Sequence, residues 1–271
     1  MSAALIHGYL RASGLGSQPE RVGPFVALFT PDSDHPMRNY AIPDDDAQPT
    51  GAEVEALVRV FEERGLRPRL EYAPDAAPRL ESILFDAGFE VEGRHAVMTC
   101  RPDQAVALEG PGDFAVGLAG TDRDHVDAMV VADIAYGEAG PPPNAAAVAA
   151  RRRLVDAGGA VVLARHRATG RPAGSGLVQI PRAAVSELAA VGTHPEFRNR
   201  GVAAAVTARL IGAAFGGGIE LVWLTAEDVN AERIYARAGF VSDGLTMVHL
   251  SRPAREKPVP GAERVGPPGA A

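Results

Sequence analysis

The residues best suited to chemistry lie between Val191 and Ala203, in the run VGTHPEFRNRGVA. An apolar strand end passes through a His194-Pro195 turn into a basic loop, Arg198-Asn199-Arg200, and Gly201 then opens an Ala-rich helix. The first backbone N–H groups of a helix have no intrahelical acceptor, and the helix dipole favours negative charge there, so such a loop suits an anionic diphosphate. Gly201 permits close approach of the backbone, while Arg198 and Arg200 add charge. Just upstream, Glu187 stands in the strand VSELAAVGT, flanked by Val185, Leu188 and Val191. A charge in such a strand is costly unless paired or functional, and burial would raise its pKa toward a range useful for taking a proton. Glu187 is thus either a proton acceptor or an ion-pair partner at a solvated edge.

Alternating helices and strands must position these groups. Upstream come the strand FAVGLA, a helix capped at Thr121-Asp122, a Pro-rich break at 140–143, and the helix NAAAVAARRRLVDAGG capped by Asn144. A hairpin, AVVLARH to AGSGLVQIP with Thr169-Gly170 in its turn, then feeds the Glu187 strand. Downstream the order is helix 202–215, strand ELVWLT, helix 230–238 and a strand near 246–250. The N-terminal half repeats this order: strand 39–42, helix GAEVEALVRVFEERG, strand RPRLEY, helix APRLESILFDAGF, strand HAVMTC. Ala87-Gly88-Phe89 matches Ala238-Gly239-Phe240 at an offset of 151, and Gly51 matches Gly201 at 150, which points to an internal repeat. The halves differ in chemistry. Where one carries Arg198-Asn199-Arg200, the other carries Asp44-Asp45-Asp46, which would repel a diphosphate; Tyr235 falls on Leu84 and Asn230 on Arg79.

The run Arg198 to Ala203 resembles the Arg/Gln-x-x-Gly-x-Gly/Ala signature of the GCN5-related N-acetyltransferase (GNAT) superfamily, with Thr193-His194-Pro195 similar to its Val-x-Pro strand end. Asn230 to Phe240, NAERIYARAGF, resembles the second signature, in which an Asn and a Tyr precede Gly-Phe. The likeness covers 114 to about 250, with Ala203 where many members have Gly. It implies an acyl-CoA acyltransferase fold, a mixed α/β sheet in two tandem halves: a degenerate domain at 1–108 without a coenzyme site, a catalytic domain at 109–252, and a disordered Pro/Gly-rich tail at 253–271. It further implies direct, ternary-complex transfer of acetyl from acetyl-CoA to a primary amine of a small molecule, without a metal. On that resemblance the backbone of Val191, Gly192 and Thr193 holds the pantetheine arm. Arg198, Asn199, Arg200, Gly201, Val202 and Ala203 surround the diphosphate, and Asn230 contacts the arm. Tyr235 is the general acid, with Glu187 the candidate base acting through water. The early helices and the loop 135–144 border the acceptor. Two other readings stay open: a module that senses acyl-CoA or another ligand without turnover, and a transferase of a longer acyl group.

Composition narrows the classes. A net charge of −7 argues against nucleic acid as a partner. No apolar run approaches the ~20 residues of a membrane helix, and the start MSAALIHGYLRAS lacks a basic leader, so a cytoplasmic protein, monomer or homodimer, is expected. The single cysteine, Cys100, excludes an internal disulfide and reads as a small buried hydrophobe; Trp223 reads as core and His194 as a turn residue. Arg151-Arg152-Arg153 is either a solvated helix face or a charge at the acceptor groove, where it would repel cationic acceptors or bind acidic ones.

Overall fold

The computed structural model describes residues 3–13, 18–31, 34–138 and 141–253. The predicted tail from 254 onward and two residues of the predicted acceptor loop, Ala139 and Gly140, lie outside the described residues.

Helix α1 (Ala3–Ser13) is followed by strands β1 (Gln18–Val22), β2 (Phe25–Phe29) and β3 (Tyr40–Pro43), helix α2 (Gly51–Glu62), β4 (Arg69–Tyr72), α3 (Leu80–Asp86) and β5 (Glu90–Cys100). The second half runs β6 (Phe114–Leu118), α4 (Asp122–Tyr136), α5 (Ala145–Asp156), β7 (Ala160–His166), β8 (Pro172–Val178), β9 (Val185–Thr193), α6 (Val202–Gly216), β10 (Leu221–Ala226), α7 (Val229–Arg237) and β11 (Val241–Ser251). Thr121 and Asn144 cap α4 and α5 through their side chains, as their residue types predict.

All eleven strands form one mixed sheet in the order β1-β2-β3-β4-β11-β5-β10-β9-β8-β7-β6. The centre of that order is an exchange. The last strand of the second half, β11, lies antiparallel between β4 and β5, and the last strand of the first half, β5, lies antiparallel between β11 and β10. Both exchanged strands span eleven residues, and their ends are offset by 151. The 151-residue offset thus holds through α2/α6 and β5/β11.

Hydrophobic clusters on both faces of the sheet follow from strand alternation. Leu188, Val222 and Leu224 join Val206, Leu210 and Ile211 of α6 on one face. On the opposite face Val185, Leu221 and Trp223 pack beneath Ile6, Tyr9 and Leu10 of α1. Val54, Leu57, Val58 and Phe61 of α2 cover the strands of the first half. Trp223 and Cys100 are fully buried, as predicted, and burial pushes the Cys100 thiol up to about 11, which leaves it a packing residue.

Helix α1 and the β1–β2 hairpin carry no signal that the sequence reading used, and α1 matters most. Its buried His7 accepts from Ala73 N–H at 2.8 Å through Nε2, leaving Nδ1–H to donate to Asp45 at 3.2 Å. Tyr9 donates to Ile180 C=O at 3.3 Å, and Arg182 donates to Ala12 C=O at 3.1 Å. The helix is therefore a strap across both halves, and Tyr9 stacks edge-on against Trp223 at 5.8 Å.

Candidate active site

Parallel strands β9 and β10 pair only over Val185 to Glu187 against Leu221 to Trp223, and then diverge. Between Leu188 and Thr193 the edge of β9 that faces away from β8 is open. Within this stretch the register against β8 slips by one residue: Gly192 opposes Ser175, whereas Ala189 opposes Leu177. The extra residue is a bulge, and Ala190 in it holds a left-handed φ of 54°, a conformation that costs a non-glycine residue roughly 1–2 kcal/mol. His194 N–H donates to Ala173 C=O at 2.9 Å, so the opposed pair Thr193/Gly174 directs Thr193's own N–H and C=O toward the opening. The end of α4 lies over this bulge. Tyr136 donates to Val191 C=O at 3.1 Å, and a Cβ on Gly192 would stand 2.7 Å from Ala135.

At the wide end of the opening stands the N-terminus of α6. Gly201 is its N-cap, with φ 79° and no capping side chain, so the first N–H groups of the helix, those of Val202 and Ala203 among them, face outward without a side-chain acceptor. Asn199 is also left-handed, at φ 59°. The two arginines brace this loop. Arg198 donates to Ala135 C=O at 2.8 Å, tying the loop to α4; Arg200 pairs with Asp113 at 2.6 Å and lies over the Phe114 ring at 4.8 Å. The outward-facing donors of this loop are backbone, and the guanidinium groups fix its shape. His194 accepts from Glu196 N–H at 3.2 Å and shapes the same turn.

The corresponding helix of the first half is closed. Thr50 caps α2 by accepting from Glu53 N–H, while the Glu53 carboxylate accepts from Thr50 N–H at 2.8 Å. Gly51 is the first helical residue, so the counterpart of Gly201 is Thr50 at the offset of 151, one position from the predicted match. Two of the three aspartates act elsewhere: Asp44 pairs with Arg21, and Asp45 with Arg11 and His7. An internal carboxylate at Glu53 therefore occupies the end of α2 that the bare α6 leaves open.

Strand alternation puts Glu187 opposite the α6 face, beneath α1, where it is half-buried. Desolvation, with the Glu71 carboxylate of β4 as the lesser cause, raises its pKa to about 8. Glu71 is held ionised despite burial by His249, 3.7 Å away on β11, together with the charges of Arg69 and His95. The Glu187 charge in turn helps burial to push the Tyr9 hydroxyl up to about 12. Tyr235, half-buried on α7, packs edge-on against Phe240 at 6.0 Å. Burial, then the neighbouring Tyr136 and Glu227, raise its pKa above the ordinary phenol value, so it keeps its proton at neutral pH. Asn230 is exposed in the first turn of α7, whose cap Asp228 accepts from Asn230 N–H at 2.8 Å. Glu187 thus belongs to the narrow end of the opening, whereas Val191 to Ala203 form its wide end, and Tyr235 approaches β9 through Tyr136.

Residues 131–240 match the acetyltransferase (GNAT) family. Over nearly the whole chain the fold matches a GCN5-related N-acetyltransferase from Kribbella flavida at 26% identity, with 93% of this chain and 96% of that one covered and a TM-score of 0.76. Residues 131–240 thus form a domain of the acetyltransferase (GNAT) family. A second GNAT structure, from Sphaerobacter thermophilus, matches at 19% identity over 86% and 82% of the two chains, with a TM-score of 0.60. A tandem GNAT protein from the clavulanic acid biosynthesis pathway shares the fold at 13% identity, over 94% of this chain and 98% of that one, with a TM-score of 0.57. No curated protein matches the sequence.

The family of this domain is one of acetyl transfer, with acetyl-CoA as its co-substrate. The residues present fit such a ligand: α6 has an uncapped N-terminus, the edge of β9 is open, and Thr193 Oγ1 is buried without a partner. Several features around this opening were not legible in the sequence. Ala190 carries the bulge without the glycine that would have marked it, and Tyr9, Glu71 and His249 reach Glu187 only through the fold. No helix among the described residues is long and apolar enough to cross a membrane.

Proposed function

We propose that the second half of this chain transfers an acetyl group from acetyl-CoA to the primary amine of a small molecule in one ternary complex, and that the first half, residues 1–108, holds no coenzyme. The observation that carries this reading is the contrast between the two matching helices: α6 begins at a bare Gly201 beside an open β9 edge, whereas α2 begins at a capping box filled by Glu53.

Acetyl-CoA, when bound, supplies the acetyl group as an activated thioester. Val202 and Ala203 N–H groups receive the diphosphate, with Arg198, Asn199, Arg200 and Gly201 shaping the loop, and Asn230 stands beside the arm. Val191, Gly192 and Thr193 line the opening that takes the pantetheine. An amine reaches this site as an ammonium ion and must lose a proton before it can attack. Glu187, with a pKa of about 8, takes that proton near neutral pH, directly or through a water. As the C–N bond forms and the C–S bond breaks, Tyr235, protonated throughout this range, gives its hydroxyl proton to the departing sulfur, and the second proton released from the acylated nitrogen restores the phenol. The strap α1 with Tyr9 closes the Glu187 side to solvent and sustains its raised pKa.

Titration calorimetry with acetyl-CoA, followed by thiol release in the presence of amines, tests this reading. One site per chain and amine-dependent thiol release are expected. Two sites would refute the account of α2. Binding without release for any amine would favour the sensing module, on which Tyr235→Phe would have no rate to reduce.

A further inference from the structure

Of the three arginines at 151 to 153, the structure separates one. Arg152 pairs with Asp122 at 2.5 Å, and Arg153 is exposed. Arg151 is half-buried and lines a narrow crevice of about 20 Å³, room for about one water, between α4 and strands β8 and β9. Met129 and Ala132 form one wall of this cleft, and it ends at Ala190, the bulge residue of β9. Val185 lies under α1 and Leu188 faces α6, so Glu187 and Ala189 share the sheet face on which this cleft runs. Arg151 therefore stands on the same sheet face as Glu187, with Ala190 of β9 at the other end of the crevice.

A second cation converges on Arg151 from the other half of the molecule. The turn Pro36–Arg38 is fixed by Arg69, which donates to Pro36 C=O at 3.3 Å, and is drawn to the end of α4 by the contact of His35 with Glu138 at 3.2 Å. This brings Arg38 close enough to Arg151 to oppose its charge, with the half-buried Asp133 as the carboxylate that acts on both. Among the described residues, neither Arg38 nor Arg151 forms an ion pair or a side-chain hydrogen bond. Two guanidinium groups gathered from different halves, one of them desolvated, thus face Asp133, on which Glu138 also acts, and neither guanidinium is paired with either carboxylate. A desolvated, unpaired guanidinium is costly unless a ligand anion completes it.

We propose that the acceptor amine also carries an anionic group, a carboxylate or a phosphate, held by Arg151 and Arg38 while its amine points toward Glu187. The inference rests on the transferase reading above and narrows it: a simple polyamine would meet like charge at this end of the cleft. Planar guanidinium groups suit either anion through paired N–H donors.

The test uses the full chain with acetyl-CoA and three matched sets of small primary amines: α-amino carboxylates, their neutral amides, and amines bearing a phosphomonoester. Thiol release gives kcat and KM, and calorimetry of the N-acetylated carboxylates in the presence of CoA gives binding without turnover. Expected is a preference of 10-fold or more for one anionic set over the amides. Arg151→Gln should abolish that preference through a rise in KM of about 10- to 100-fold, with Arg151→Lys recovering part of it. Exposed Arg38 provides the second variant, and Arg38→Gln should weaken the same preference. Acetyl-CoA affinity and melting temperature serve as controls for folding. Which anionic set wins distinguishes carboxylate from phosphate. Turnover of the amides equal to the anionic sets, or a preference untouched in both variants, overturns this inference and leaves the transferase reading standing. Acetyl-CoA binding with no turnover of any set overturns that reading itself.

Discussion

Replacing Glu187 with Gln should stabilise the protein at high pH while removing its activity. The glutamate carries a pKa of about 8 in the folded chain against 4.5 when exposed. Because the folded value is the higher one, the folded state binds the proton more tightly than the unfolded state. Stability from this group is complete below about pH 4.5 and is lost as pH rises toward 8, at about 1.4 kcal/mol per pH unit. Over that window the loss sums to about 5 kcal/mol, an upper bound that water entry beside a half-buried group reduces. Glutamine has the shape of the protonated acid and no charge to desolvate. Urea denaturation of wild type and Glu187→Gln at half-unit intervals from pH 4 to pH 9 should give equal stabilities at the acid end. Above pH 5 the curves should separate, with the variant ahead by several kcal/mol at pH 9. The same glutamate should set the acid limb of kcat/KM near pH 8. A stability difference that does not change with pH would refute the burial argument, whatever the variant did to turnover.

Four other outcomes follow from the geometry. Tyr235→Phe should lower kcat by about 100-fold, at the lower end of the usual gain from proton transfer, and leave acetyl-CoA affinity within twofold; an unchanged kcat would exclude the phenol as the acid. Gly201→Asp places a carboxylate and a side chain at a backbone φ of 79°, and should eliminate acetyl-CoA binding by calorimetry. Thr50→Ala removes the cap of α2 and should cost about 1 kcal/mol in denaturant melts without creating a second coenzyme site. Separately expressed fragments 1–108 and 109–253 should each fail to show a cooperative melt, since each lacks the strand that the other places in its sheet; a stable isolated fragment would contradict the exchange of β5 and β11.

The parts of the fold that the sequence revealed are those decided locally. Helix α6 and strand β9 begin where an apolar run meets Gly201 or a turn, and the Thr121 and Asn144 caps announce α4 and α5 by residue type. Even the repeat was legible, because Gly88 and Gly239 both take left-handed turns at the same offset. Exchange of β5 and β11 was not, since each strand has the same alternation wherever it pairs, and choice of neighbour is a property of the whole sheet. Ala190 escaped because nothing in an alanine advertises a positive φ. The environment of Glu187 escaped for a third reason: α1, β4 and β11 lie far from it in the chain, and its pKa depends on all of them.

The exchanged strands also bear on how the protein is made. Strand β11 leaves the ribosome about 140 residues after β5, a delay on the order of ten seconds at ordinary rates of synthesis. Throughout that interval the slot between β4 and β5 stands empty, and Leu70 and Tyr72 lack the Leu250 and Val248 that finally pair beside them. Domain-by-domain maturation, in which an early half finishes before the later one emerges, is therefore closed to this chain. Its first half must wait for a strand supplied by the second half, so the open end of α6 and the capped end of α2 become native in the same event.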